Sequence, residues 1–264
     1  MPNIIILFAL LFSVVHHVPA AAAADANERR VVIALDPGHG GSDPGAEAMD
    51  VNEADLVLDF ALRLRAILEK GNAVDVVLTR DGDEHVPLDK RLSRARSGGA
   101  GVFVSIHADA LAPGDGQASG ITLYTLDASD VPRANARLIV RHDQEDILTG
   151  VNLTGTGEDV AFALVDLARQ ETQPRSQALA RSLLTTFAAG DVRVNNRPHR
   201  HGGFAVLKAA DMPSILIELG FLSNARDRER LLSEDWLEQT AWAIRDGLML
   251  WVSEDAVFEA QTLQ

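Results

Sequence analysis

Four side chains in this sequence are able to do acid–base or metal chemistry from places where such groups are constrained. His39 sits in "IALDPGHGGSDPGA" (residues 33–46), its imidazole framed by Gly38, Gly40 and Gly41 directly after an apolar run. Glu53 falls in the first turn of a helix-like segment, and His107 ends "VFVSIH". Glu218 is embedded in "ILIELGF". Two imidazoles and one carboxylate, with a fourth position left to water, are the usual ligand count of a hydrolytic zinc site. The spacing matches no short motif such as His-Glu-x-x-His. On spacing alone, a metal centre and ordinary hydrogen-bonded histidines therefore stand as equal readings. Glu218 is a carboxylate in a strand that should be buried, which requires a cationic or proton-sharing partner. It reads either as a general base and acid with a raised pKa or as half of a structural salt bridge.

The elements that must position these groups follow a strand and helix rhythm. "VVIAL" at 31–35 is apolar throughout, as in a strand covered on both faces. "NEADLVLDFALRLRAILEK" places Leu56, Phe60, Leu64 and Ile67 at helical spacing, offers Asn52 as a cap and stops at Gly71. "AVDVVLT", "GVFVSIH", "GITLYTL", "GFAVLKA" and "SILIELG" read as further strands. Residues 88–97 read as a short basic helix, "SQALARSLLTTFAAG" as a helix ended by Gly190, and 233–252 as an amphipathic closing helix. All four chemical candidates lie near strand ends, where sheet-based enzymes assemble sites. The expected class is α/β: a single domain with a mixed, mostly parallel central sheet, helices on both faces, and a helical insertion. The catalytic domain is placed at 31–252, the insertion at 128–175 and a tail at 253–264.

Composition narrows the chemistry. The 264 residues are 47% hydrophobic, enough for one sizeable core. Thirty-eight acidic against 24 basic side chains give a net charge of -14, which argues against nucleic acid as partner. With no cysteine, any metal must be held by imidazole and carboxylate. The first 24 residues carry no charged side chain, and the apolar run at 4–15 followed by "VPAAAAADA" is read as a signal peptide (residues 1–24), with export to the periplasm.

"DPGHGGSDPGA", the helix-opening Glu53, "SIHADA" and "SILIELGFLSN" together resemble the N-acetylmuramoyl-L-alanine amidase 3 family of cell-wall hydrolases. The resemblance spans about residues 31–252. It implies that His39, Glu53 and His107 bind Zn2+, and that Glu218 takes a proton from water and delivers it to the departing nitrogen. The reaction implied is hydrolysis of the amide between the lactyl group of N-acetylmuramic acid and L-alanine of peptidoglycan, in wall remodelling and daughter-cell separation. Residues 128–175 resemble the regulatory segment of division-associated members, in which a helix covers the zinc site until an activator removes it. Glu145, or next Asp146, is the carboxylate expected to fill the open zinc position. By the same analogy the activator would carry a degenerate metallopeptidase-like domain, and the chain is expected to be a monomer. The alternative is a non-catalytic peptidoglycan-binding module of the same fold.

Other residues divide between roles. Asp36 and Asp43 either orient His39 or form turns. Arg80 is expected to pair with a neighbouring acid. His199 and His201 are expected in a solvated basic loop, which the resemblance would place near the substrate groove.

Overall fold

In the computed structural model, residues 30–111, 118–127 and 157–262 are described. The proposed signal peptide, most of the 128–175 insertion, Glu145 and Asp146 lie outside them. In chain order the elements are β1 (Val31–Pro37), β2 (Glu47–Ala48), β3 (Val51–Asn52), α1 (Glu53–Glu69), β4 (Val74–Leu78), α2 (Leu88–Ser97), β5 (Val102–His107) and β6 (Ile121–Leu126). There follow α3 (Glu158–Ala189), β7 (Val194–Gly202), a 3-10 turn (Ala205–Lys208), β8 (Ser214–Glu218), α4 (Ala225–Leu231) and α5 (Glu234–Thr262).

Among the described residues six strands form one sheet in the order β4-β1-β5-β8-β6-β7. β4, β1, β5 and β8 are mutually parallel, β6 is antiparallel to β8, and β7 is parallel to β6. Because side chains alternate across a strand, each face builds its own core. Ile33, Leu35, Val104, Ile106, Ile215 and Ile217 pack against one helical layer, with Phe60 and Leu64 of α1, Leu183 and Phe187 of α3, and Ile244 and Leu248 of α5. Ala34, Phe103 and Leu216 face the other way, onto Leu92 and Ala95 of α2 and Val206 and Leu207 of the 3-10 turn. The mixed α/β sheet with helices on both faces is as the sequence indicated.

Four elements differ from the sequence reading. "GFAVLKA" is not a strand: Ala205–Lys208 is a 3-10 turn whose Val206 and Leu207 are apolar because they seal the α2 side of the sheet. The strand is the preceding "VNNRPHRHG", so His199 and His201 lie in β7 and not in a solvated loop. The helix at 176–189 and the apolar stripe before it are one continuous α3, with Pro174 inside it. Its N-terminal half is anchored where Ala161 and Val165 pack on Ala210 and where Arg169 donates to the carbonyls of Lys208 and Ala209. α5 likewise runs on to Thr262 through the segment read as a tail. Among the described residues no helix is long and apolar enough to cross a membrane.

Candidate functional site

The C-terminal ends of adjoining strands bring the four candidates together. β1 runs into the turn carrying His39, β5 ends at His107, and β8 ends at Glu218, which is the register partner of His107. Asn52 caps α1 by accepting from the Asp55 N–H, and that fixes Glu53 as the first helical residue. Glu53 is only 1% exposed. One of its oxygens accepts from the Ala46 N–H and the other from the Ala108 N–H, both at 2.9 Å. These backbone donors clamp the carboxylate between the two rings: His107 Nδ1 is 2.9 Å from Oε1, and His39 Nε2 is 3.2 Å from Oε2. The rings meet edge to face with centroids 5.1 Å apart.

His39, Glu53 and His107 each offer a ligand atom, and these atoms lie within 4.8 Å of one another. Two imidazoles and a carboxylate, without thiolate, are a donor set suited to a hydrolytic zinc centre. The hydrogen bond to Glu53 raises His39 to about 9 against the opposing effect of burial. Burial pushes Glu53 up, but hydrogen bonds from His107 and His39 outweigh it and hold the carboxyl well below its usual range. Burial disfavours charge on His107, yet its bond to Glu53 leaves it raised.

His39 has φ of 59°, a left-handed backbone that costs a non-glycine residue free energy and so must be held by its surroundings. Its ring is oriented by Asp43, whose Oδ2 lies 2.9 Å from Nδ1, leaving Nε2 toward Glu53. Asp43 also accepts from the Gly45 N–H, so it serves both as turn former and as orienting carboxylate. Asp36 does neither for His39. Fully buried, it accepts from Thr79 Oγ1 at 2.5 Å, Arg91 Nη1 at 2.8 Å and Ser105 Oγ at 2.8 Å.

Arg80 is expected from the sequence to pair with a neighbouring acid; among the described residues it forms no ion pair. It donates to the carbonyls of Pro37, Gly38, Ala54 and Gly82. Arg91 donates to those of Pro37, His39 and Val86. Two buried guanidiniums thus tie β1, its following loop and the start of α1 together through backbone acceptors that no acidic residue in the sequence advertises. The glycines divide unevenly. A side chain at Gly38 would overlap the His107 ring, and one at Gly45 would lie 2.7 Å from Glu53 Oε2, so these two clear the cluster. Gly40 and Gly41 instead face the backbone of Glu84 and His85.

Glu218 is 6% exposed, and burial pushes its carboxyl up to about 7 even though the His107 charge and the Asp109 N–H, 3.1 Å from Oε2, favour ionisation. Among the described residues it makes no salt bridge to Lys or Arg. It lines a pocket of about 270 Å³ with Asp109, Tyr124, Arg200, Phe204 and Phe221. Tyr124 and Arg200 were not singled out in the sequence. Neither belongs to a motif, and Arg200 lies in the strand that polar residues disguise as loop.

A family model described as N-acetylmuramoyl-L-alanine amidase matches residues 33–249. The chain is 36% identical over 235 residues to the amidase AmiC of Neisseria meningitidis serogroup B, covering 86% of this chain and 54% of that one. It is 32% identical to AmiA of Escherichia coli K12, covering 84% and 75%. This chain spans about half the length of the AmiC relatives it matches. Among solved structures, the N-acetylmuramoyl-L-alanine amidase of Clostridium difficile 630 superposes with a TM-score of 0.61 at 25% identity, over 85% of this chain and 97% of that one. AmiC2 of Nostoc punctiforme gives 0.57 at 28%, over 84% and 97%.

Proposed function

Because the chain belongs to the N-acetylmuramoyl-L-alanine amidase 3 family, we propose that it hydrolyses the amide joining the lactyl group of N-acetylmuramic acid to L-alanine in peptidoglycan. The observation that carries this reading is the convergence of His39, Glu53 and His107 beside a buried carboxyl, Glu218, at the rim of a pocket.

In this reading His39, Glu53 and His107 hold Zn2+. When bound, zinc supplies Lewis acidity that polarises the scissile carbonyl and makes water a better nucleophile at neutral pH. The chain's own groups do the rest. Glu218, held by the Asp109 N–H, takes the proton from the attacking water and returns it to the departing alanine nitrogen. Its upward shift keeps it able to perform both transfers near neutrality. Tyr124 and Phe204, whose rings meet at 5.1 Å, line the pocket.

The biological setting follows from the same resemblance: export by residues 1–24, action in the periplasm during daughter-cell separation, and restraint by residues 128–175 with Glu145 or Asp146 on the zinc position. An activator with a degenerate metallopeptidase-like domain would release that restraint. The test is release of dye from labelled peptidoglycan. Activity abolished by a chelator and restored by zinc is expected. Release that persists without metal, or binding without release, would overturn the hydrolytic reading; the latter would support a peptidoglycan-binding module.

A further inference from the structure

The register of the three strands at one side of the sheet sets a second polar group at a defined distance from Glu218. Thr122 of β6 stands opposite Glu218, while Tyr124, two residues on, stands opposite Leu216 on one flank and Arg200 of β7 on the other. Glu218, Tyr124 and Arg200 therefore share one face of the sheet. Strands lie about 4.8 Å apart and residues rise about 3.3 Å, so two strands across and two residues along puts the Cα atoms of Arg200 and Glu218 roughly 12 Å apart. Both side chains line the same pocket.

Arg200 is a cation beside two acids, Glu218 and Asp109, in that pocket. Its Nε donates to the Arg197 carbonyl at 3.3 Å and its Nη2 to Asn195 Oδ1 at 3.2 Å, both neutral acceptors at the long end of the hydrogen-bond range. Tyr124 lines the same pocket beside it. Among the described residues no carboxylate pairs with it. A guanidinium half withdrawn from water, walled by Tyr124 and Phe204, and steadied by neutral groups is built to take a planar anion in fork geometry.

We infer that Arg200 binds a carboxylate of the stem peptide on the leaving side of the scissile amide. The inference rests on the hydrolytic reading, which sets the departing alanine nitrogen at Glu218. The residue after that alanine is joined through its side-chain carboxyl and so keeps a free or amidated α-carboxyl a few bonds farther on. An arginine side chain spans the remaining gap. Arg200 thereby selects peptides that carry that negative charge.

Two synthetic muramoyl peptides, alike except that the second residue bears a free α-carboxylate or a carboxamide, test this with the full chain loaded with zinc. The native protein is expected to favour the free acid by about 10- to 100-fold in kcat/KM, mainly through KM. Arg200→Ala should abolish the preference, and Arg200→Lys should keep part of it. The same pair is measured by direct binding to protein carrying Glu218→Gln, in which Arg200 is intact, and with Arg200→Ala added. An equal melting midpoint for Arg200→Ala, expected for an edge strand, excludes a folding defect. Hydrolysis without preference, or a preference that survives Arg200→Ala, overturns the role of Arg200. No hydrolysis of either peptide by the native protein overturns the hydrolytic reading instead. The binding measurement then decides Arg200, failing it if the two peptides bind alike or not at all.

Discussion

Arg91 on α2 donates to the backbone carbonyl of His39 at 2.6 Å, so a helix that carries none of the four candidates holds the backbone of the loop that carries His39. The same guanidinium pairs with Asp36, which is fully buried. Arg91→Met would leave that carboxylate without its countercharge. Breaking a buried pair from one side costs about 3–5 kcal/mol, and urea unfolding should show a loss of that size, with Arg91→Lys recovering part.

Asp43 steadies His39 from the solvent side, and its side chain is half exposed. Asp43→Ala is therefore expected to leave the fold intact and weaken zinc binding about 10- to 100-fold. Competition against a chelating dye measures it; an unchanged affinity would mean that the loop alone orients the ring.

If His39, Glu53 and His107 hold zinc as proposed, protons and metal compete for one site. His39 in the metal-free protein is raised to about 9. A raised histidine supports the fold fully below its ordinary value of 6.5, and that support fades as pH climbs toward about 9. The melting midpoint of metal-free protein should fall across this window. Zinc binding near pH 7.5 should release about one proton or more, read by calorimetry in buffers of different ionisation enthalpy. Binding with no proton release would contradict the arrangement around Glu53.

Glu218→Gln separates chemistry from metal retention. Zinc content should be unchanged while hydrolysis falls by about 100- to 10,000-fold. For a buried acid raised to about 7, stability declines as pH rises from the ordinary value toward 7. The variant should consequently melt a few degrees above the native protein at pH 8, a gain that shrinks below pH 5.

The proposed restraint by residues 128–175 is best tested by paired substitution. Removing residues up to 170 would also take the part of α3 in which Ala161, Val165 and Arg169 pack on the domain. Glu145→Ala with Asp146→Ala should raise basal hydrolysis about tenfold, equivalent to losing an occluding contact of about 1.4 kcal/mol. Unchanged basal release would remove the autoinhibition proposal.

The candidate site was legible because its members sit in segments with strong local signatures: a Gly-Pro turn after a buried strand, a capped helix start, and apolar strands ending in a polar residue. β7 escaped because an edge strand tolerates Pro198 and a run of Asn, Arg and His, so it shows no hydrophobic alternation. The 3-10 turn was mistaken for a strand because its short apolar run is buried for packing and not for pairing. The roles of Arg80 and Arg91 stayed hidden for a different reason. Their acceptors are mostly backbone carbonyls, which every residue has, and the one carboxylate, Asp36 against Arg91, lies 55 residues away in the chain, so no partner could be read from residue types or spacing. Arg200 lies in an unread strand and lines a pocket to which β6, β7 and β8 all contribute.

Gly38 donates its N–H to the Ile106 carbonyl, which places it beside His107 on the neighbouring strand, and the imidazole occupies the space where a side chain at 38 would be. The two positions share one side chain's volume. Substitution at 38 is thus a substitution at 107 by other means: alanine there would evict the ring without altering a single donor atom. Any redesign of this centre for a different third ligand has to begin with how much room position 38 leaves for it.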